Sequence, residues 1–483
     1  MMHALKEKTI RGGAAKLVGQ ALSLLLRLGT LIVLARIIDP GDFGLVAMVT
    51  AITGVFDIFA AGGLSTATIQ KADVSHEQIS TLFWINVAIG ALLAVLCVAS
   101  GPLLAAFYHE PRIAWVMVAV APGFVFNAAS VQHLALMQRE LRYIAITVIE
   151  IASQVIAATL GIVLALAELG YWALVVNAIA VPLVATVCAW AASGWRPGWP
   201  RPNSGIGPML RFGSTVTLNG LVVYVGYNLE KVLLGRYWGP DALGLYGRAF
   251  QLINLPTSTL NGAIGGVAFA ALSRLQNDPA RFRSYFLRGY SLVLSMTIPA
   301  TLFCALFSDD IIVIVLGPRW TDAAAIFRLL APTILIFGII NPLSWLLLSI
   351  GLQERSLKLG LVIAPLVSGA YLVGLPFGPR GVAFAYSAAL TVWLLPHVIW
   401  CLHGTVISVH DLLLAAGRPF LSGAVAALVA ATFAAQTAHH SLPVVRVALG
   451  GAIMLGVYAW FLLLVMKQRS FYFDLLKGLR GAP

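Results

Sequence analysis

Three charged side chains stand where an apolar helix would ordinarily hold none. Arg27 lies in the middle of the run Ser23-Leu-Leu-Leu-Arg-Leu-Gly-Thr-Leu-Ile-Val-Leu34, and Glu230 and Lys231 are neighbours in Asn228-Leu-Glu-Lys-Val-Leu-Leu-Gly235. A charge held in hydrocarbon costs several kcal/mol unless it meets a partner or a wet cavity, so such residues mark function by default. Arg27 is too far from either end of its helix to reach the interface comfortably. It either pairs with an acid, Asp57 or Glu150 being the candidates, or faces a cavity and binds an anion. A planar guanidinium suits phosphate oxygens.

Helical spacing places Gly220, Tyr224, Asn228 and Lys231 on one face, with Asn219, Tyr227 and Glu230 on the neighbouring one. The first face reads as a wet wall of aromatic and amide groups with a cation, suited to sugars and phosphate. Glu230 could hold Lys231 or Arg27, or take a coupling proton or sodium ion. A structural Glu230–Lys231 pair is the alternative. Arg248, Gln251 and Asn254 form a second tier of polar candidates, and His397 reads as a satisfied helix histidine. No nucleophile elbow, phosphate-binding glycine loop or metal-ligand spacing is present. Cys97, Cys188, Cys304 and Cys401 each sit alone in a different apolar run and read as packing residues.

The elements that position these residues are set by composition. The 483 residues are 60% hydrophobic and 10% charged, with mean hydropathy +0.91. Soluble domains carry roughly 25% charged residues. Apolar runs of about 20 residues recur along the whole chain, which is the signal of transmembrane helices rather than of barrel strands. The expected fold is all-α, a polytopic membrane protein of about fourteen transmembrane helices. The net charge of +12 does not indicate nucleic acid, because the Lys and Arg residues are spread through short loops. Most lie in loops on the side of the N-terminus, among them Lys6, Lys8, Arg139, Arg142, Arg211 and Arg355, which predicts cytoplasmic termini.

Leu34, Arg36, Pro40, Gly44 and Leu45 recur as Leu234, Arg236, Pro240, Gly244 and Leu245, at a constant offset of two hundred. Six predicted spans separate the copies, so they share one orientation, a parallel repeat about an axis along the membrane normal. The expected organisation is a six-helix bundle over 1–193, a cytoplasmic linker over 194–211, a second six-helix bundle over 212–402, and accessory helices thirteen and fourteen with a cytoplasmic tail over 403–483. Gly12-Gly13, Gly62-Gly63 and Gly262 to Gly266, with prolines at 122, 182, 256, 299, 332, 342 and 365, loosen the helices and fit a protein that changes shape.

Several segments carry a family resemblance: Leu34 to Gly44, Gly63 to Lys71, Tyr227 to Gly235, Gly244 to Pro256, Phe269 to Asp278 and Leu316 to Trp320. In this order they resemble the Wzx-like polysaccharide flippases of the multidrug/oligosaccharidyl-lipid/polysaccharide exporter superfamily, in particular the colanic-acid-type exporters. The resemblance implies twelve to fourteen helices in two bundles around a cavity, working by alternating access. It also implies a polyprenyl-phosphate-linked or diphosphate-linked oligosaccharide as substrate, moved across the bacterial inner membrane for exopolysaccharide, capsule or O-antigen synthesis. A polysaccharide polymerase and glycosyltransferases are the implied partners. Related peptidoglycan-precursor flippases carry a helix-1 arginine in a similar Arg-x-Gly context, which Arg27 and Gly29 match; Glu230 stands where an aspartate is common. The expected substrate-binding set is Arg27, Lys231, Asn228 and Tyr224, with Glu230, Asp57 and Glu150 as coupling or pairing groups. No cofactor beyond a coupling ion is expected. A cation-coupled multidrug exporter of the same superfamily is the main alternative, and a membrane polymerase or ligase a further one, disfavoured by short outer loops.

Overall fold

A computed structural model describes residues 2–61, 64–71, 73–201, 206–207, 209–211, 214, 217, 221, 224, 228–437, 442–470 and 472. Gly220, Asn219, Tyr227 and the Gly62-Gly63 pair lie outside them. Every regular element among the described residues is helical. The first helices are α1 (Met2–Ile37), α2 (Pro40–Ala61), α3 (Leu64–Gln70) and α4 (His76–Tyr108). They are followed by α5 (Arg112–Val120), α6 (Pro122–Arg139), α7 (Tyr143–Leu166), α8 (Tyr171–Ser193) and α9 (Leu229–Leu275). The chain continues through α10 (Pro279–Leu306), α11 (Ser308–Val315), α12 (Ala323–Leu330) and α13 (Pro332–Ser349). It ends with α14 (Gln353–Gly374), α15 (Gly378–Leu402), α16 (Val409–Thr437) and α17 (Pro443–Trp460).

Twelve of the described segments are long and apolar enough to cross a bilayer, so the chain is a multi-pass membrane protein. The expected fourteen is not reached because two segments, Leu229–Leu275 and Gln353–Leu402, run 47 and 50 residues. Each exceeds twice the ~20 residues a crossing needs. Both are interrupted. Gly239 takes φ 80° within α9, and a three-ten turn, Leu375–Phe377, separates α14 from α15.

Local signals place the helix ends. Pro40 opens α2, where its missing N–H is not needed and its fixed φ suits the first turn. Ser75 caps α4 by accepting from the Gln78 N–H at 3.2 Å while the Gln78 side chain returns to the Ser75 N–H at 3.3 Å. Gly239 adopts a left-handed conformation that glycine tolerates best, directly before Pro240.

The chain forms two compact units, Met1–Gly244 and Leu245–Pro483. In the second, α10 presents Phe282, Phe286, Tyr290, Leu294 and Ile298 at four-residue spacing, all buried in one core with Leu343, Leu346 and Leu347 of α13. Ala426 and Ala430 of α16 and Met454 and Tyr458 of α17 close the same core. Helices thirteen and fourteen of the expected set are thus packed into this unit. Ion pairs fasten them: Arg446 to Asp310 at 3.0 Å from Nε, and Arg283 to Asp411 at 2.5 Å. In the first unit, the segment after α8 lies along the start of α4. Trp84 donates to the Gly198 carbonyl at 2.8 Å, the Gly198 N–H to Ser80 at 3.0 Å, and the Arg201 N–H to Thr81 at 3.1 Å.

Candidate functional site

The two copies of the repeat meet. Each carries a proline that opens a helical stretch and a glycine one turn later, and the pairs are reciprocal. A Cβ on Gly44 would collide with the Pro240 carbonyl and stand 2.9 Å from the Gly244 nitrogen. A Cβ on Gly244 would collide with the Pro40 carbonyl and stand 3.2 Å from the Gly44 nitrogen. Only glycine permits backbones to approach this closely. Acidic side chains surround the junction. The Asp241 carboxylate lies against Gly41, while Asp42 accepts from the Tyr171 N–H at the start of α8 and sits 3.6 Å from Arg112. Carboxylates suit these positions because helix N-termini carry partial positive charge. Nearby, Arg112 donates to both Glu110 oxygens at 2.9 Å, and that bonding holds the Glu110 carboxyl below its ordinary range. Arg236 meets His109 at 2.8 Å.

Further along α2, Tyr224 meets it. The Tyr224 hydroxyl donates to the carbonyls of Thr50 and Ala51 at 3.0 and 3.2 Å. Its ring fills the space that any side chain at Gly54 would need. Both Asp57 and Glu230 lie within electrostatic reach of that hydroxyl. The Asn228 amide donates to the Tyr224 carbonyl at 2.8 Å and accepts from the Lys231 ammonium at 2.6 Å. Tyr224, Asn228 and Lys231 therefore form one hydrogen-bonded line.

Glu230 stands apart from that line. It is fully buried, and neither carboxylate oxygen has a hydrogen-bond partner among the described residues. Lys231, its neighbour in sequence, bonds Asn228 and acts on the Glu230 carboxylate through its charge. Asp57 and Glu150 are exposed on α2 and α7, and Arg27 is exposed on α1. Among the described residues no ion pair joins Arg27 to Asp57 or Glu150. In the second unit Arg248 donates to Gln251 on the next turn, with Asn254 half-buried beyond. His397 differs from expectation. It is buried beside Trp393, with ring centroids 6.4 Å apart, and neither ring nitrogen is hydrogen-bonded among the described residues. No group of three metal-ligating side chains occurs among the described residues, and the four cysteines are free.

Sequence reasoning missed that Gly44 and Gly244 face each other and that Asp241 and Asp42 flank them. The available signal was a glycine at the same place in both copies of the repeat.

Residues 33–325 match the model of a family described as polysaccharide biosynthesis protein. The chain belongs to this family. Its relatives include the lipopolysaccharide biosynthesis protein WzxC of Escherichia coli (strain K12), 28% identical over 382 residues and covering 77% of each chain. The teichuronic acid biosynthesis protein TuaB of Bacillus subtilis (strain 168) is 26% identical over 423 residues, 83% of this chain and 84% of that one. Among solved structures, the lipid II flippase MurJ in an inward closed conformation matches with TM-score 0.75 at 15% identity, covering 97% of this chain and 100% of that one. An inward-facing multidrug resistance transporter of the MATE family matches with TM-score 0.61 at 13% identity, 84% of this chain and 95% of that one. At these identities the structural matches show a shared fold. This member of the polysaccharide biosynthesis protein family thus has the fold of helical flippases and exporters.

Proposed function

We propose that the chain moves a polyprenyl-(di)phosphate-linked oligosaccharide across the bacterial inner membrane by alternating access, for exopolysaccharide, capsule or O-antigen synthesis. The observation that carries this reading is Arg27, an exposed guanidinium in mid-helix of an apolar α1 with no ion-pair partner among the described residues. A charge so placed is favourable only where it meets water and an anion, and the phosphate of a lipid-linked sugar supplies one. The Tyr224–Asn228–Lys231 line offers hydroxyl, amide and ammonium groups of the kinds that recognise sugars. The junction of Gly44 with Gly244 serves as the periplasmic closure, which parts to release the head group. An inside-negative potential favours that release by about 2.3 kcal/mol per charge per 100 mV.

Glu230 is the coupling group in this scheme. A buried carboxyl whose oxygens make no hydrogen bond is costly to ionise, so its loading with a proton or sodium ion is linked to the conformations that bury or expose it. Both termini lie in the cytoplasm, where glycosyltransferases supply the substrate; a polymerase uses the product on the other side.

The test is deletion followed by complementation. Loss of surface polysaccharide, with lipid-linked repeat units accumulating in the inner leaflet, supports the reading, and Arg27→Ala should fail to complement. A second reading, a cation-coupled multidrug exporter, is favoured by the exposed carboxylates Asp57 and Glu150 in apolar helices and by the shared MATE fold. Altered drug resistance with normal polysaccharide on deletion would establish it instead.

A further inference from the structure

One surface of the first unit carries a groove that its own side chains leave open. It lies between α7 and α8, has a volume of about 450 Å³, and is lined by small or apolar residues including Ala145, Ile149, Ala152, Cys188 and Ala191. From Ala145 to Ala152 it follows α7 for roughly 10 Å at 1.5 Å per residue. It begins two residues inside the start of α7, one of the segments long and apolar enough to cross a bilayer. A surface gap of this size facing a bilayer forfeits dispersion contacts unless a lipid chain enters it.

The mouth of the groove is basic. Arg142 immediately precedes α7, and its guanidinium is pinned by a 2.7 Å bond to the carbonyl of Ala192, itself a lining residue. Arginine has five N–H donors, and this bond uses one. A second nitrogen stands 3.6 Å from Glu140, whose side chain is 59% exposed. The first turn of α7 has no side-chain cap, and Lys16 sits 5.5 Å over the ring of Tyr143 beside it. Trp190 of α8, 40% exposed, turns to α6 instead, its indole bonded to the Ala129 carbonyl at 2.9 Å.

We propose that this groove seats one hydrocarbon chain of an anionic phospholipid whose phosphate is held by Arg142. The charge at the mouth selects an anionic head group, and the absence of hydroxyl and amide groups from the lining argues against a glycan-bearing occupant. The groove is short, so a bilayer phospholipid fills it, while most of a long isoprenoid chain would remain outside. The site is independent of the transport reading.

The full chain is reconstituted in vesicles of equimolar phosphatidylglycerol and phosphatidylcholine, extracted in mild detergent, and its retained lipids counted by native mass spectrometry. Wild type should retain phosphatidylglycerol over phosphatidylcholine by ~5-fold, the size of one basic side chain's attraction to an anionic lipid surface. Ala191→Phe, at an exposed position on α8, should lose the retained lipid. Arg142→Gln should keep lipid but lose the preference. Equal retention of the two lipids by wild type, unchanged retention in Ala191→Phe, or displacement of phosphatidylglycerol by equimolar polyprenyl phosphate would each overturn the assignment.

Discussion

Gly44 and Gly244 face each other across a contact in which each backbone occupies the place of the other's missing side chain. A methyl group on either would strike the carbonyl of Pro240 or Pro40. Overpacking typically costs 1–3 kcal/mol, and here the obstruction is backbone rather than a movable side chain. Gly44→Ala and Gly244→Ala should therefore shift the protein away from the closed junction. Labelling of a cysteine placed at Asp241 by a membrane-impermeant thiol reagent should rise in both variants. Gly247→Ala, where nothing lies within 4 Å of the added carbon, should leave labelling unchanged.

Arg27→Ala should abolish export of lipid-linked oligosaccharide at equal protein level, and Arg27→Lys should retain part of it. Lysine keeps the charge but loses the planar fork that grips phosphate oxygens in pairs. The readout is polysaccharide output from a complemented deletion strain. Full output from Arg27→Ala would leave the exposed guanidinium without a transport role.

Glu230→Gln should fold and insert normally, since the carboxyl it replaces makes no hydrogen bond among the described residues. The amide cannot release a proton or neutralise a cation. Transport in reconstituted vesicles should therefore lose its response to an imposed proton or sodium gradient. Glu230→Asp should keep that response. A gradient response in Glu230→Gln equal to wild type would remove the carboxyl from the coupling scheme.

The ion pairs of the second unit should differ in worth. Arg446 and Asp310 have side chains only 18% and 14% exposed, whereas Arg380 and Asp322 are 58% and 75% exposed. Truncating one member of a well-buried pair strands the other charge, so Arg446→Ala should lower stability by about 1–3 kcal/mol, discounted for its partial exposure. Arg380→Ala should change stability by less than about 1 kcal/mol. Thermal unfolding in detergent, with a double-mutant cycle for each pair, measures the difference.

The membrane class and most helix limits were legible because most crossings are long apolar runs bounded by prolines, glycines or charges. The repeat at 34–45 and 234–245 was equally legible. Its self-pairing was not, because a backbone contact between segments two hundred residues apart leaves no mark in local periodicity. Glu230 and Lys231 illustrate a different limit. Adjacency in sequence suggests a hydrogen-bonded pair, yet Lys231 bonds Asn228 one turn back and acts on Glu230 through its charge. His397 looked like a histidine with a partner because burial is readable from an apolar run, whereas the partner's position depends on tertiary packing.

The connector after α8 has a mechanical consequence. Trp195 reaches His76 at 3.1 Å, Gly198 both donates and accepts, and Arg201 bonds Thr81 and Glu77, so this stretch is laced along the first turns of α4. A pull on the chain beyond Arg201 is therefore felt at the root of α4 rather than at the tail of α8. The anchor of this connector is the Trp84 indole, the His76 ring and the Ser80 and Thr81 hydroxyls of a helix more than a hundred residues earlier.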